Sequence, residues 1–217
     1  CFDPFAFLFR GRHKKGMTQH DLTARFTASA RAVSATVLEA ASLDQALDLA
    51  VQLCVDKQAC QLVVSGCDAP LSAQAGDLCA GKQDKIIAAP GLGELALDRL
   101  CRRCDEQGVV CLNKGLREHL GGIDAAFTVS PAAAADTGTL LLDSSSEEVR
   151  LATMVAELHV AAVRKADIRE SLADLRDELS GMIQDGPSFA ACITGPSRTA
   201  DIERVLALGV HGPLELS

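Results

Sequence analysis

From Thr18 to about Ala41, apolar residues recur at helical spacing: Leu22, Phe26, Ala30, Val33 and Val37 fall on one face. Ser42-Leu43-Asp44-Gln45 has the form of a capping box and predicts a second helix carrying Ala46, Leu47, Ala50 and Leu53. The pattern then changes to short aliphatic runs, which predict strands over 61–65, 85–89, 109–112, 125–129, 139–142, 159–163 and 189–194. Between them the spacing predicts an amphipathic helix over 94–106 and short helical turns over 113–120 and 132–135. A longer helix over 167–180 carries Ile168, Leu172, Leu175 and Leu179 as its apolar stripe. A last short helix runs through 202–206. Strand and helix alternating in this way argue for an α/β fold, a mostly parallel sheet flanked by helices, with the two N-terminal helices as an arm.

Composition narrows the picture. The 217 residues are 48% hydrophobic but hold seven Phe and no Tyr or Trp, so the core is aliphatic, as buried parallel strands require. A net charge of −8 repels phosphate backbones and argues against a nucleic-acid partner. No apolar run reaches the roughly eighteen residues of a membrane span. The nine cysteines are irregularly spaced, and the N-terminus places its Phe-rich run before Arg10, Arg12, Lys14 and Lys15, the reverse of a secretion signal. A cytoplasmic protein with reduced thiols is the expectation. Residues 1–16 differ from the rest in composition and read as a segment added in cloning or by upstream translation. Residues 17–217 then form one domain, with 17–56 as its N-terminal helices.

Candidate chemistry concentrates near the C-terminus. In Ile193-Thr-Gly-Pro-Ser-Arg-Thr-Ala-Asp-Ile-Glu203 an apolar strand ends in Gly-Pro, and hydroxyls and an Arg follow where a helix is expected to begin. Free backbone N–H groups at a helix start favour anions. Gly195, Pro196, Ser197, Arg198 and Thr199 are therefore the predicted anion cradle, with Arg198 as a two-pronged anchor for carboxylate or phosphate. An ordinary capped turn with an exposed Arg accounts for the same residues. Asp201, Glu203 and His211, the last held between Gly and Pro, are the candidates for proton transfer. Thr137, Gly138 and Thr139 form a small-residue turn that lets backbone approach a ligand, and they are expected to meet Ser197, Arg198 and Thr199 at the carboxyl ends of the strands. Cys101-Arg-Arg-Cys104 lies on a helix with no second pair, so no metal site is assigned. Gly91-Leu-Gly93 lacks the third glycine of a dinucleotide fingerprint and reads as a plain turn. His159 opens an aliphatic strand and reads as a core histidine.

The run Thr194 to Glu203 followed by Gly209-Val-His-Gly-Pro213 resembles the LutC/YkgG, or LUD-domain, family. Ala135 to Leu140 and Leu158-His-Val160 look similar as well, and the resemblance covers the chain after residue 16. It implies a fold like that of the NagB/RpiA sugar-phosphate isomerases and CoA transferases. It also implies a subunit of a cytoplasmic system that oxidises L-lactate to pyruvate, whose iron–sulfur clusters reside in partner subunits, with no cofactor in this chain. The family pattern departs at 156–158, where Ala-Glu-Leu stands in place of a proline before the His. Two other readings stay open: a stand-alone enzyme acting on a sugar phosphate or CoA thioester, and a non-catalytic metabolite-binding scaffold. Whether the chain is itself an enzyme stays open with them.

Overall fold

The computed structural model describes residues 17–57, 72–74, 77, 84–119, 122–183, 188–200, 206–208, 213 and 215–217, with backbone alone for 198–200 and 206–208. The predicted strand at 61–65 and the candidates Asp201, Glu203 and His211 lie outside these residues.

Helix α1 (Gln19–Ala32) starts at a reciprocal cap: Thr18 Oγ1 accepts the Asp21 N–H at 3.2 Å, and the Asp21 carboxylate accepts the Thr18 N–H. It stops nine residues short of the predicted end. Ser34 adopts a left-handed φ of 69°, and the Thr36 N–H donates to the Leu216 carbonyl at 2.9 Å. The β-branched Thr36 and Val37 thus leave the helix for the sheet edge. Helix α2 (Leu43–Asp56) is capped by Ser42, which accepts the Gln45 N–H. The Gln45 side chain reaches one residue further back than the motif requires, onto the Ala41 N–H at 2.6 Å.

A five-stranded parallel sheet follows, in the order β11-β6-β3-β1-β2. Its strands are β1 (Lys85–Ala88), β2 (Val109–Leu112), β3 (Ile123–Ser130), β6 (Ala156–Val163) and β11 (Glu215–Leu216). Successive residues of β1 and β3 are buried on both faces, which is why these strands read as unbroken aliphatic runs. On one face α2 and α3 (Glu94–Glu106) bury Leu47, Val51 and Leu100 against Ile87, Phe127 and Leu158. On the other, α4 (Glu147–Val155) buries Ala152 beside Ile86, Ala88, Ala126 and Ala156. The mostly parallel, helix-flanked sheet is therefore the observed architecture.

A second, four-stranded sheet, ordered β7-β4-β5-β8, was not anticipated. It comprises β4 (Ala132–Ala134), β5 (Thr139–Asp143), β7 (Ile168–Arg169) and β8 (Ala190–Thr194). It corrects two expectations. The alanine run at 132–135 is a strand rather than a helical turn, because β4 pairs with β5 on one side and β7 on the other, and tertiary pairing outweighs the helix propensity of Ala. The helix expected at 167–180 is broken into a 3₁₀ turn Lys165–Asp167, strand β7, a 3₁₀ turn Leu172–Leu175 and helix α5 (Arg176–Ile183). The second sheet captures Ile168 opposite Ala133, and the Ser171–Asp174 cap starts the helical path anew. The two N-terminal helices separate between the sheets: Phe26 and Ala30 of α1 pack with Ala133, Leu140 and Ile168, whereas α2 belongs to the parallel sheet.

Candidate functional site

Because α1 and α2 pack on different sheets, a cleft of about 660 Å³ opens between them. Its floor is the carboxyl ends of β3, β6 and β11, where open parallel sheets bind ligands. Leu38, Leu43, Val129 and Val160 make much of the wall apolar, and Leu38 and Val129 remain 49% and 46% exposed. The charged groups stand in pairs: Arg164 Nε donates to Asp167 at 2.5 Å, and Lys165 Nζ to Glu39 at 2.6 Å. The Lys165 ammonium holds the Glu39 carboxyl below the ordinary carboxylate range.

Two of the predicted segments are neighbours. Strand β5 pairs with β8 so that Thr139 faces Thr194, and their hydroxyls lie 2.7 Å apart. Thr137 extends this hydroxyl chain to Thr139 at 2.7 Å. The glycines beside it hold the chain itself rather than open space. A Cβ on Gly138 would lie 2.4 Å from the Ala30 nitrogen, and one on Gly195 would lie 2.4 Å from the Val33 carbonyl oxygen. Both positions have left-handed φ, +67° and +71°, so glycine serves backbone geometry and close helix approach together. The end of α1 thus lies over the turn at 137–139, and Ser29 Oγ donates to the Asp136 carbonyl at 3.2 Å. Among the described residues of the predicted set, Gly138 alone also lines the cleft.

The helix expected after Pro196 is absent at its start. Strand β9 (Arg198–Ala200) pairs antiparallel with β10 (Leu206–Leu208), and the Ser197 N–H donates to the Pro213 carbonyl at 3.0 Å. The segment expected to present free donors at a helix N-terminus is instead extended, with the Ser197 N–H engaged by Pro213 and β9 paired to β10.

One polar cluster escaped sequence reading. Asp124 and Glu157 stand opposite each other near the starts of β3 and β6. Lys57 reaches Glu157 at 2.5 Å and Asp124 at 3.8 Å, and Asp124 accepts the Ile86 N–H at 2.8 Å. The Glu157 side chain is completely buried. The signal was a carboxylate just ahead of each aliphatic run, Asp124 directly before 125–129 and Glu157 two residues before 159–163. His159, also fully buried, meets the Thr128 hydroxyl at 2.8 Å, and its Nδ1 has no hydrogen-bond partner among the described residues. Burial lowers its pKa to about 4, so the imidazole is neutral near pH 7.

The cysteines at 101 and 104 separate. Cys104 faces the core, where burial pushes its thiol up to about 12, and Cys101 is joined in a disulfide to Cys111 of β2. Here α3 and β2, folded against each other, place Cys101 beside Cys111 despite the irregular spacing. Among the described residues no group of His, Cys, Asp and Glu is arranged to hold a metal ion, and no helix is long and apolar enough to cross a membrane.

The LUD domain family matches residues 23–217. The chain belongs to the LUD domain family. Lactate utilization protein C of Bacillus velezensis is 32% identical over 113 residues, covering 51% of this chain and 45% of that protein. The chain therefore spans under half the length of that relative. The uncharacterized protein YkgG of Escherichia coli is 26% identical over 174 residues, covering 72% of this chain and 73% of that protein. The crystal structure of a DUF162 family protein from Deinococcus radiodurans superposes with a TM-score of 0.52 at 15% identity, covering 93% of this chain and 96% of that one, which establishes similarity of fold. In this LUD domain the cleft, lined from Thr23 to Ser217, falls wholly within the matched residues.

Proposed function

We propose that this LUD domain serves lactate utilisation as a LutC-type component and holds a small carboxylate- or phosphate-bearing ligand in the cleft between α1 and α2. The observation that carries the reading is the position of the cleft at the carboxyl ends of three parallel strands, within the span shared with the family. The relatives named for lactate utilisation supply the process. Arg164 is the proposed anchor: Asp167 takes its Nε donor and orients the guanidinium, whose remaining N–H groups suit a carboxylate or phosphate. Arg198, one turn from the Thr139–Thr194 hydroxyl pair, is a second proposed anchor, with Ser197 and Thr199 beside it. Iron–sulfur chemistry belongs, on this proposal, to partner subunits, and this chain contributes binding and orientation.

The test is growth on L-lactate of a strain lacking the gene, complemented with wild type, Arg164→Ala or Arg198→Ala at matched expression. Wild type restores growth and Arg164→Ala does not if the cleft is the working site. Normal growth of the uncomplemented strain overturns the lactate role. Restoration by Arg164→Ala but not by Arg198→Ala moves the anchor to the hairpin. A thermal-shift panel of lactate, pyruvate, sugar phosphates and CoA thioesters identifies the ligand class. Stabilisation by sugar phosphates or CoA alone favours a separate enzyme on this fold.

A further inference from the structure

We propose that Cys101 and Cys111 form a reversible redox site that exchanges with a small thiol–disulfide couple of the glutathione class. Cys101 lies on α3, Cys111 lies on β2, and a short turn joins the two elements. That turn is closed by N–H bonds from Gln107 to the Cys104 carbonyl at 3.0 Å and from Gly108 to the Asp105 carbonyl at 3.2 Å, with Gly108 at φ +67°. Each flank is anchored separately. Leu100 and Cys104 are fully buried on the inner face of α3, and Cys111 pairs with Ile87 in the parallel sheet. The fold therefore sets the Cα–Cα separation of 5.3 Å, which lies inside the range a disulfide spans. The bond closes or opens without rearranging the backbone, and one fold accommodates both states.

Among the described cysteines the surroundings select this pair. Cys101 and Cys111 are both half-buried, which admits a small thiol. Cys54 and Cys104 are sealed in the core, where low polarity disfavours the thiolate. Cys104, three residues from Cys101, faces the core, so the helix presents Cys101 to β2 instead. Cys192 is exposed on β8, in the other sheet.

The exchange balances in two steps. The thiolate of one cysteine attacks the oxidised couple, forming a mixed disulfide and releasing one small thiol, which takes up the proton lost by that cysteine. The second cysteine then attacks the protein sulfur of the mixed disulfide. The Cys101–Cys111 bond forms, and the second small thiol leaves with the second proton. Two protein thiols are oxidised as one small disulfide is reduced to two thiols.

The test uses the full chain, equilibrated without oxygen across ratios of reduced to oxidised glutathione, quenched in acid, alkylated after denaturation and digested with trypsin. Arg102 and Arg103 lie between the cysteines, so the disulfide links peptides 100–102 and 104–114. The linked product should rise from under roughly a tenth to over roughly nine-tenths of the protein with one midpoint, and return on adding excess reduced glutathione. Fragmentation should place the link on Cys111. Alkylation of both residues at every ratio overturns the proposal, as do independent glutathione adducts or a link through Cys104. Cys101→Ser should convert Cys111 to a glutathione adduct; an unmodified Cys111 in a variant with the wild-type circular dichroism counts against the site. The wild-type titration decides the matter even if that variant misfolds.

Discussion

The two ends of the parallel sheet use the same residue types in opposite ways. At the amino end Lys57, Asp124 and Glu157 meet in the interior, and the Lys85 ammonium donates to the Val55 and Lys57 carbonyls. At the carboxyl end Arg164–Asp167 and Lys165–Glu39 stand at the rim of an apolar cleft, with Arg164 82% and Lys165 55% exposed. Solvent decides what each set does. A buried charge that loses its partner has no water to replace it, whereas a surface pair contributes about 0–1 kcal/mol and its members can be re-engaged by a ligand. The amino end is thus a structural lock, and the carboxyl end keeps its charges available.

The strongest challenge to that contrast is Lys57→Met. Breaking the Lys57–Glu157 contact should cost roughly 3–5 kcal/mol in denaturant unfolding, and a loss below about 1 kcal/mol would place the cluster with the surface pairs. Next in size is the acid response of His159. Its folded pKa of about 4 lies below the ordinary 6.5, so the unfolded chain binds a proton that the folded one refuses. The stabilisation is fully present above pH 6.5 and is lost as pH falls toward 4, by ~3 kcal/mol. His159→Gln can keep the Thr128 hydrogen bond but not the titration. Its stability curve should run flatter than wild type through this window, and parallel curves would remove His159 as the cause. Gly138→Ala should cost about 2 kcal/mol, from left-handed strain and collision with α1. Gly93→Ala, which meets nothing within 4 Å, should change stability by less than about 0.5 kcal/mol in the same unfolding assay. Smallest in stability is Leu38→Ser in the cleft, expected within about 0.5 kcal/mol of wild type while weakening whatever ligand the thermal-shift panel identifies. Undiminished ligand binding would move the site out of the cleft.

Local patterns carried most of the parallel sheet. The runs at 85–88 and 109–112 and the helix at 94–106 were legible because each is decided by burial on faces that periodicity reports. The second sheet was not. Ala132–Ala134 and Ile168–Arg169 become strands only because each pairs with a distant partner, and neither has a β-signature of its own. For the candidate site, the 137–139 turn was expected to meet Ser197, Arg198 and Thr199, whereas the residue found opposite Thr139 is Thr194 of β8. Its covering by α1 was not legible, since nothing near Gly138 or Gly195 names Ala30 or Val33 as the neighbour. Asp124 and Glu157 were passed over because carboxylates beside aliphatic runs usually mark strand ends in water.

The sequence by itself determined the α/β class, the aliphatic interior, the cap of the second helix and the family resemblance. These follow from the order of side chains over a few turns, or from motifs read in line. Tertiary structure alone decided that α1 and α2 part to open a cleft, that Lys57 closes on two carboxylates, and that Cys101 meets Cys111 rather than Cys104. Each of these depends on which faces pack together, and packing is a relation between segments that no local run of residues encodes.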